Sequence, residues 1–423
     1  MKHEGDAVPL LEKKKISEPL RILYIRQIVT AFSNGFASPF VSILMVQLNA
    51  SAFMLGLLSS LTNFISNFFQ FMWGAVTDAV GRKVPFIVIG GLSTSFIWLL
   101  AIGTKQAQFL LLLVALQSFM NSMVTPALSA LIGDLAPPMR RGRISASLNI
   151  FSSLGSLVAT LISGYIMMVD DKSLTLMYLF PFLLAAVTGF VGNLVILKIR
   201  EKPTRRKVSA RPSELIKPLR ENPTFRKFAE ISFASMIIQS LPWGVFPFVI
   251  VDVVRANMIQ VALISVINGL FILSVQRIAG NLVDRVGRKP FILAGKFGLA
   301  TFPLFYAFAT SVTYLYLGNA IGGAFNGLLM VASFAYMLDV SPNDMRGEYF
   351  GVYNSLMGIG TGIGALIGGS LADIFMSHLG LVMGLRYVLL IFAIGRFSVN
   401  FLFFKIKEPS RLIEDKRRST LWL

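Results

Sequence analysis

Four stretches of this chain, residues 85–103, 109–132, 174–197 and 314–338, contain no charged residue. A backbone enters hydrocarbon only when its own N–H and C=O groups bond one another, so such runs admit a bundle of helices or a closed barrel. Each run is long enough to cross about 30 Å as helix, and none shows the period-two alternation of a barrel strand. Composition agrees: 55% of the 423 residues are apolar and 14% charged, against about 45–50% and about 25% in soluble domains. Twelve spans are expected, at 20–47, 53–77, 84–103, 107–132, 144–168, 174–198, 225–251, 259–283, 290–310, 313–338, 347–374 and 383–405.

The net charge of +18 would suit a nucleic-acid binder, but its distribution points elsewhere. Lys and Arg crowd into the segments on one side of the membrane. The opposite loops hold only Lys105, Lys172, Arg255 and Arg386, and Arg277, Lys296 and Arg396 fall within spans. This asymmetry predicts a multi-pass protein with both termini cytoplasmic, and with no organelle-targeting segment apparent the plasma membrane is the expected location. The basic run from Lys198 to Lys227 reads as a topology signal and a contact with anionic lipid headgroups, so no nucleic-acid partner is expected. There is no cysteine, and His3 and His378 stand alone, so no metal site is expected. The first 19 residues are charged and lack the apolar core of a cleaved signal peptide.

The chain is written twice. Gly74-Ala-Val-Thr-Asp78-Ala-Val-Gly81-Arg82-Lys83 returns 206 residues later as Gly280-Asn-Leu-Val-Asp284-Arg-Val-Gly287-Arg288-Lys289. Beyond a one-residue length difference in that turn, Asp134 matches Asp339, Pro137 matches Pro342, Arg141-Gly142 matches Arg346-Gly347, and Gly164 matches Gly369. The expected organisation is a cytoplasmic tail (1–19), a six-helix bundle (20–199), a cytoplasmic linker (200–224), a second six-helix bundle (225–407) and a tail (408–423). Duplicated membrane bundles are the layout of secondary transporters.

At the ends of spans two and eight, Gly81 and Gly287 permit a tight turn, and the Arg-Lys pairs sit at the level of lipid phosphates. A carboxylate at that depth is costly unless paired, and a helix N-terminus is a ready partner for Asp78 and Asp284. The Arg-Gly pairs that open spans five and eleven supply such termini. Together these motifs resemble the major facilitator superfamily over nearly the whole chain. The resemblance implies an all-α membrane protein of two pseudo-symmetric six-helix bundles, 12 transmembrane helices in all, rocking about a central cavity.

The resemblance further implies a cytoplasmic gate that is closed in the outward-facing state. Its residues would be Gly74, Asp78, Gly81, Arg82 and Lys83 with Arg346 and Gly347, and Gly280, Asp284, Arg285, Gly287, Arg288 and Lys289 with Arg141 and Gly142; Asp78 would face the start of span eleven near Arg346 and Gly347, and Asp284 the start of span five near Arg141 and Gly142. The family usually has a basic residue after the Asp; Arg285 fits and Ala79 does not. Multidrug-efflux-like and sugar-porter-like branches both stay open. The Gly-Pro pair of drug antiporters is absent where Ser156 follows Gly155, and Ile199-Arg-Glu-Lys-Pro203 and Ile406-Lys-Glu-Pro409 are only loosely similar to sugar-porter signatures.

By the family's architecture, spans one, four, seven and ten line the cavity, and each carries an amide near its midpoint. These are Asn34, Gln117 with Asn121, Gln239, and Asn319 with Asn326; Trp243, between Pro242 and Gly244, adds an aromatic face at an expected break in span seven. They are the expected substrate-binding residues, with interhelical hydrogen bonding as the competing role for each. No Asp or Glu falls near the middle of a span. Glu230, one to two turns into span seven, is the expected coupling carboxylate, or else a surface residue.

Arg396 lies about 13 Å from the end of span twelve, too deep to snorkel, and should face a carbonyl, a carboxylate or an anionic ligand. The four-residue spacing of Gly155, Ala159 and Ser163, and of Gly360, Gly364 and Gly368, predicts close helix packing and a smooth seam along which the halves slide.

The expected function is secondary active or facilitative transport of a small neutral, zwitterionic or amphiphilic organic solute by alternating access. Amides and aromatics without carboxylates disfavour strongly cationic substrates. The alternative is a transporter-like sensor that binds its ligand without moving it. No P-loop and no nucleophile–base constellation is visible, so no enzymatic activity is expected. The protein is expected to be monomeric and to need no cofactor beyond a proton or sodium gradient to which transport can couple.

Overall fold

A computed structural model of the chain describes residues 17–137, 140–169, 173–201, 217–342 and 345–408. Among the described residues, twelve helices are long and apolar enough to cross a membrane and there is no strand. In order, spans 1 to 6 are Glu18–Gln47, Ala52–Val80, Val84–Ala101, Ala107–Leu135, Arg141–Val169 and Leu174–Lys198. Spans 7 to 12 are Pro223–Val253, Met258–Val286, Lys289–Ala307, Val312–Val340, Arg346–Leu379 and Leu381–Lys405. The expected tails up to residue 16 and from 409, linker residues 202–216, Lys172 and His3 lie outside the described residues.

Several helices outrun their apolar stretches at the end of the bundle that carries the basic loops. Helix length there is set by caps and not by hydrocarbon thickness. Span 2 continues to Val80 because Gly81 stops it, at φ 75° with its N–H donating to the Thr77 carbonyl at 2.9 Å. Asp78, Asp134, Asp284 and Asp339 consequently stand in terminal helical turns and not in loops. Spans 1 and 7 are interrupted, at Ser38–Phe40 and at Leu241–Gly244, beside Pro39 and Pro242, which bring no backbone donor. The expected break at Trp243 is present.

Small residues lock helices inside each half. In the first half, Gly155 meets Phe32 and Ile28 of span 1, Thr160 Oγ1 donates to the Gly35 carbonyl at 3.0 Å, and Ser163 Oγ to that of Phe36 at 2.7 Å. In the second half, Gly360, Gly364 and Gly368 press on Phe233, Ile237 and Leu241 of span 7. The seam expected to let the halves slide therefore packs within each half, which corrects that expectation. The inter-half seam uses another face of span 11, where Gly358, Gly362, Ala365 and Gly369 meet Asn67, Ser60, Gly56 and Ala52 of span 2. Gly164 of span 5 meets Met258 and Ala262 of span 8 in the same way. A four-residue spacing identifies a packing face but not the partner it packs against.

The apolar core reports the arrangement of the halves. On the side away from the basic loops, one cluster joins them, with Phe40, Met45 and Leu55 packed in common with Phe248, Val249 and Val261. On the basic side the core divides into two clusters. Leu23, Ile87 and Leu131 belong to the first half alone, and Phe225, Tyr336 and Phe403 to the second alone.

Candidate functional site

Each half presents a cavity. The first, of about 380 Å³, is lined by Asn34, Asn121, Thr30, Thr125 and Asn149 among others. The second, of about 420 Å³, is lined by Gln239, Trp243, Phe246, Phe302, Asn326 and Tyr353 among others. Five of the expected binding residues, Asn34, Asn121, Gln239, Trp243 and Asn326, thus line cavities, whereas Gln117 and Asn319 line neither. Asn319 is buried as glue: its Nδ2 donates to Tyr306 Oη at 2.9 Å and to the Leu315 carbonyl at 2.8 Å. Glu230 is 67% exposed at its side chain and pairs with Arg226 one turn away at 3.8 Å. It is a surface residue, so the expected coupling carboxylate does not face the cavities; helix starts at Pro223, and Glu230 falls on its outer face.

The charged residues that do line the cavities are all basic. Arg26, counted by sequence with the basic N-terminal segment, is buried in span 1, where its guanidinium donates to Gln27 Oε1 at 2.7 Å and Asn193 Oδ1 at 3.0 Å. Arg396 is buried as expected and turns inward, donating to the carbonyls of Leu299, at 3.1 Å, and Gln239. Lys296, which had no assigned role, donates to Ser235 Oγ at 3.0 Å and Gln239 Oε1 at 3.3 Å. Its charge inside an apolar span was the available signal.

The doubled motif builds the same network in each half. Lys83 pairs with Asp134 at 2.9 Å and Glu201 at 3.6 Å, and Glu201 accepts from the backbone N–H groups of Lys83 and Val84 at 2.6 and 3.0 Å. In the second half Arg288 pairs with Asp339 at 3.0 Å, and Glu408 accepts from the N–H groups of Arg288 and Lys289. Each glutamate caps a helix N-terminus whose N–H groups lack intrahelical partners, where its charge also meets the positive end of the dipole. Lys83 corresponds to Arg288, so the one-residue length difference falls at Arg82, which is exposed. Gly287 has φ 126°, and a Cβ there would stand 2.9 Å from Glu408 Oε1. Glu201 and Glu408 were missed as site residues although both lie in the matched Ile-Arg-Glu and Ile-Lys-Glu tripeptides.

The contacts expected of a cross-half gate are not made among the described residues. Asp78 has no hydrogen bond or ion pair to another described residue, and Arg346 Nε is buried without an acceptor. Asp284 pairs with Arg288 of its own half at 2.9 Å, Arg285 is exposed, and Arg141 Nε donates to the Ala136 carbonyl at 3.3 Å. A Cβ added to Gly142, Gly280 or Gly347 would meet nothing within 4 Å, whereas one at Gly74 would touch Pro126. On the opposite side the halves are tied by Asp373 of span 11, which accepts from the N–H of Ala52 at 2.8 Å and of Phe53 at 2.9 Å, the opening turn of span 2. Its repeat counterpart is Met168, so no duplication marked it.

Two homologous six-helix bundles, packed together on one side with separate cores on the other, and each presenting a cavity, define a two-domain membrane transporter. The family model for the Major Facilitator Superfamily matches residues 23–238 and again 228–421, once per half, and the chain belongs to that family. It is 34% identical over 374 residues to the uncharacterized MFS-type transporter MJ1560 of Methanocaldococcus jannaschii, covering 85% of this chain and 92% of that one. It is 26% identical over 327 residues to the multidrug resistance protein MdtG of Enterobacter lignolyticus, 75% of each chain. The crystal structure of the nucleoside transporter NupG superposes with a TM-score of 0.73 at 16% identity, over 92% of this chain and 100% of that one, a likeness of fold alone.

Proposed function

We propose that this protein carries a small organic solute across the plasma membrane by alternating access, with its termini cytoplasmic and the state described here facing inward. The divided core carries this reading: apolar packing is shared between the halves on the outer side and separate on the basic side, so the cavities open between two independently packed walls. Solute would lodge between Asn34 and Asn121 on one wall and Gln239, Trp243 and Asn326 on the other. The return stroke would part Asp373 from span 2 and bring Asp78 to Arg346, whose Nε lacks an acceptor in this state. The multidrug resistance protein among the relatives makes export the first direction to test.

Proteoliposomes loaded with a panel of solutes, with and without a pH gradient, should show saturable flux of at least one member. Saturable binding with no flux under any gradient would overturn the reading. Because Asp78 gains its partner only when the inner side closes, Asp78→Asn should favour the inward-facing state about ten-fold, the equivalent of one charge-assisted hydrogen bond of roughly 1.5 kcal/mol. The chain has no cysteine, so a single Asn149→Cys reporter in the first cavity can measure this by its labelling rate from the cytoplasmic side. An unchanged rate would remove Asp78 from the gate.

A further inference from the structure

We propose that the transported solute is an amphiphilic organic anion whose anionic group is bound by Lys296 and Arg396 and whose apolar body lies along the aromatic wall of the second cavity; this rests on the transport reading above. The two cations come from spans 9 and 12 and converge on one residue of span 7, Gln239. Lys296 donates to its side-chain oxygen and Arg396 to its carbonyl. Lys296 is 8% exposed and Arg396 4%. Their remaining partners are neutral: Ser235 Oγ, the Leu299 carbonyl and, for Lys296, the face of Phe403 at 4.8 Å from the ring centroid.

Two buried cations sharing one neutral residue repel each other, and each has lost hydration worth several kcal/mol. Buried charges of this kind are stable when an opposite charge arrives. Among the described residues, the ion pairs join Lys83 to Asp134 and Glu201, Arg226 to Glu230, and Arg288 to Asp284 and Asp339. None reaches Lys296 or Arg396, and neither cavity is lined by Asp or Glu. Arg396 Nε is buried with no acceptor, a donor left over for a ligand.

The other half repeats the sign. Arg26 is the charged residue of the first cavity, is 3% exposed, and likewise leaves Nε without an acceptor. A cavity carrying only positive charge attracts anions and repels cations from both walls. The body of the ligand follows from the remaining surface beside Lys296 and Arg396, which is built from Trp243, Phe246, Phe302 and Tyr353. Phe246 and Phe302 meet edge to face at 5.1 Å between centroids, leaving a firm apolar wall.

The test uses the full-length protein in phosphatidylcholine nanodiscs and four probes of one shape: naphthoate, naphthyl phosphate, naphthamide and naphthylmethylammonium. At least one anion should bind ten-fold or more tightly than the amide, and the ammonium more weakly than either, as read by titration of the thermal midpoint. Lys296→Met should cost the anion at least ten-fold and the amide much less, and Lys296→Arg should restore most of the anion's loss. A purely structural Lys296 would weaken amide and anion alike. The proposal is overturned if neither anion outbinds the amide, or if Lys296→Met affects both equally.

Adding phosphatidylglycerol to the discs separates the sources of such an anion. Competition identifies a membrane lipid as the natural occupant, and its absence a soluble solute. Flux of the same probes in proteoliposomes keeps the two readings distinct. Anion binding without flux overturns transport and keeps the anion site, whereas flux of the amide or the ammonium without the anions keeps transport and overturns the anion site.

Discussion

Asp373→Asn is expected to release the outer side of the transporter. The carboxylate bridges the halves by accepting from two successive backbone N–H groups of span 2, those of Ala52 and Phe53, and it lies at the positive end of that helix. Ser51 satisfies a third orphan donor, that of Met54. An amide at position 373 keeps one acceptor oxygen and loses the charge, so one charge-assisted bond and the dipole term are lost. Water replaces part of this once the halves separate, and a net change of about 1–2 kcal/mol is expected, roughly ten-fold in the ratio of outer-closed to outer-open states.

Span 8, the counterpart of span 2, caps its own opening turn. Asn257 and Gln260 form a reciprocal capping box there and ask nothing of the other half. Ser60, which lies under Gly362 in the inter-half seam, is the natural reporter. In the otherwise cysteine-free protein, Ser60→Cys should react with an impermeant maleimide from outside about ten times faster when Asp373 is Asn. Equal rates in both backgrounds would show that Asp373 does not hold the outer side.

Gly56→Leu and Gly364→Leu should fail in different ways although both crowd glycine contacts of span 11. At Gly56 the obstruction lies between halves: a Cβ would stand 3.1 Å from the Ala365 carbonyl carbon and closer still to its oxygen. The halves can answer by staying apart, which each bundle survives intact. The expected variant is folded, locked outer-open and transport-dead. At Gly364 the obstruction lies inside one half, with a Cβ 2.8 Å from the Ile237 carbonyl carbon of span 7. That bundle has no hinge with which to answer, and overpacking there costs more than the roughly 1–3 kcal/mol of an ordinary added methylene group. Gly364→Leu should give little monodisperse protein, whereas Gly56→Leu should elute and melt like the parent. A Gly56→Leu protein that transports at the parental rate would show that this seam need not close.

Much of the site was legible because charge and polarity inside hydrocarbon are rare enough to be conspicuous. Arg396 was read as inward-facing on depth alone, and Asn34, Asn121, Gln239, Trp243 and Asn326 line cavities as their positions implied. Asn319 takes the competing role of interhelical bonding, because an amide that bonds Tyr306 and one that faces a cavity look identical in a one-dimensional pattern. Arg26 was concealed by its position in a run of basic residues near the N-terminus, which a topology count absorbs. Glu230 stands well inside span 7, which opens at Pro223, but depth along a helix does not say which face a residue occupies; the structure puts it on the exposed face, the surface alternative.

The twelve helices and the sidedness of charge are legible in one dimension because each follows from what an isolated segment must do in hydrocarbon or at its surface, and the two-fold repeat because matching residues recur at a fixed offset. Tertiary structure alone decided which glycine face joins the halves, that Asp373 reaches span 2 from 320 residues away, and that Lys296 and Arg396 converge on Gln239 with no acid beside them. The physical reason is common to all three. A helix pattern states which face is small or polar, but the partner that meets that face is set by how the halves lean together.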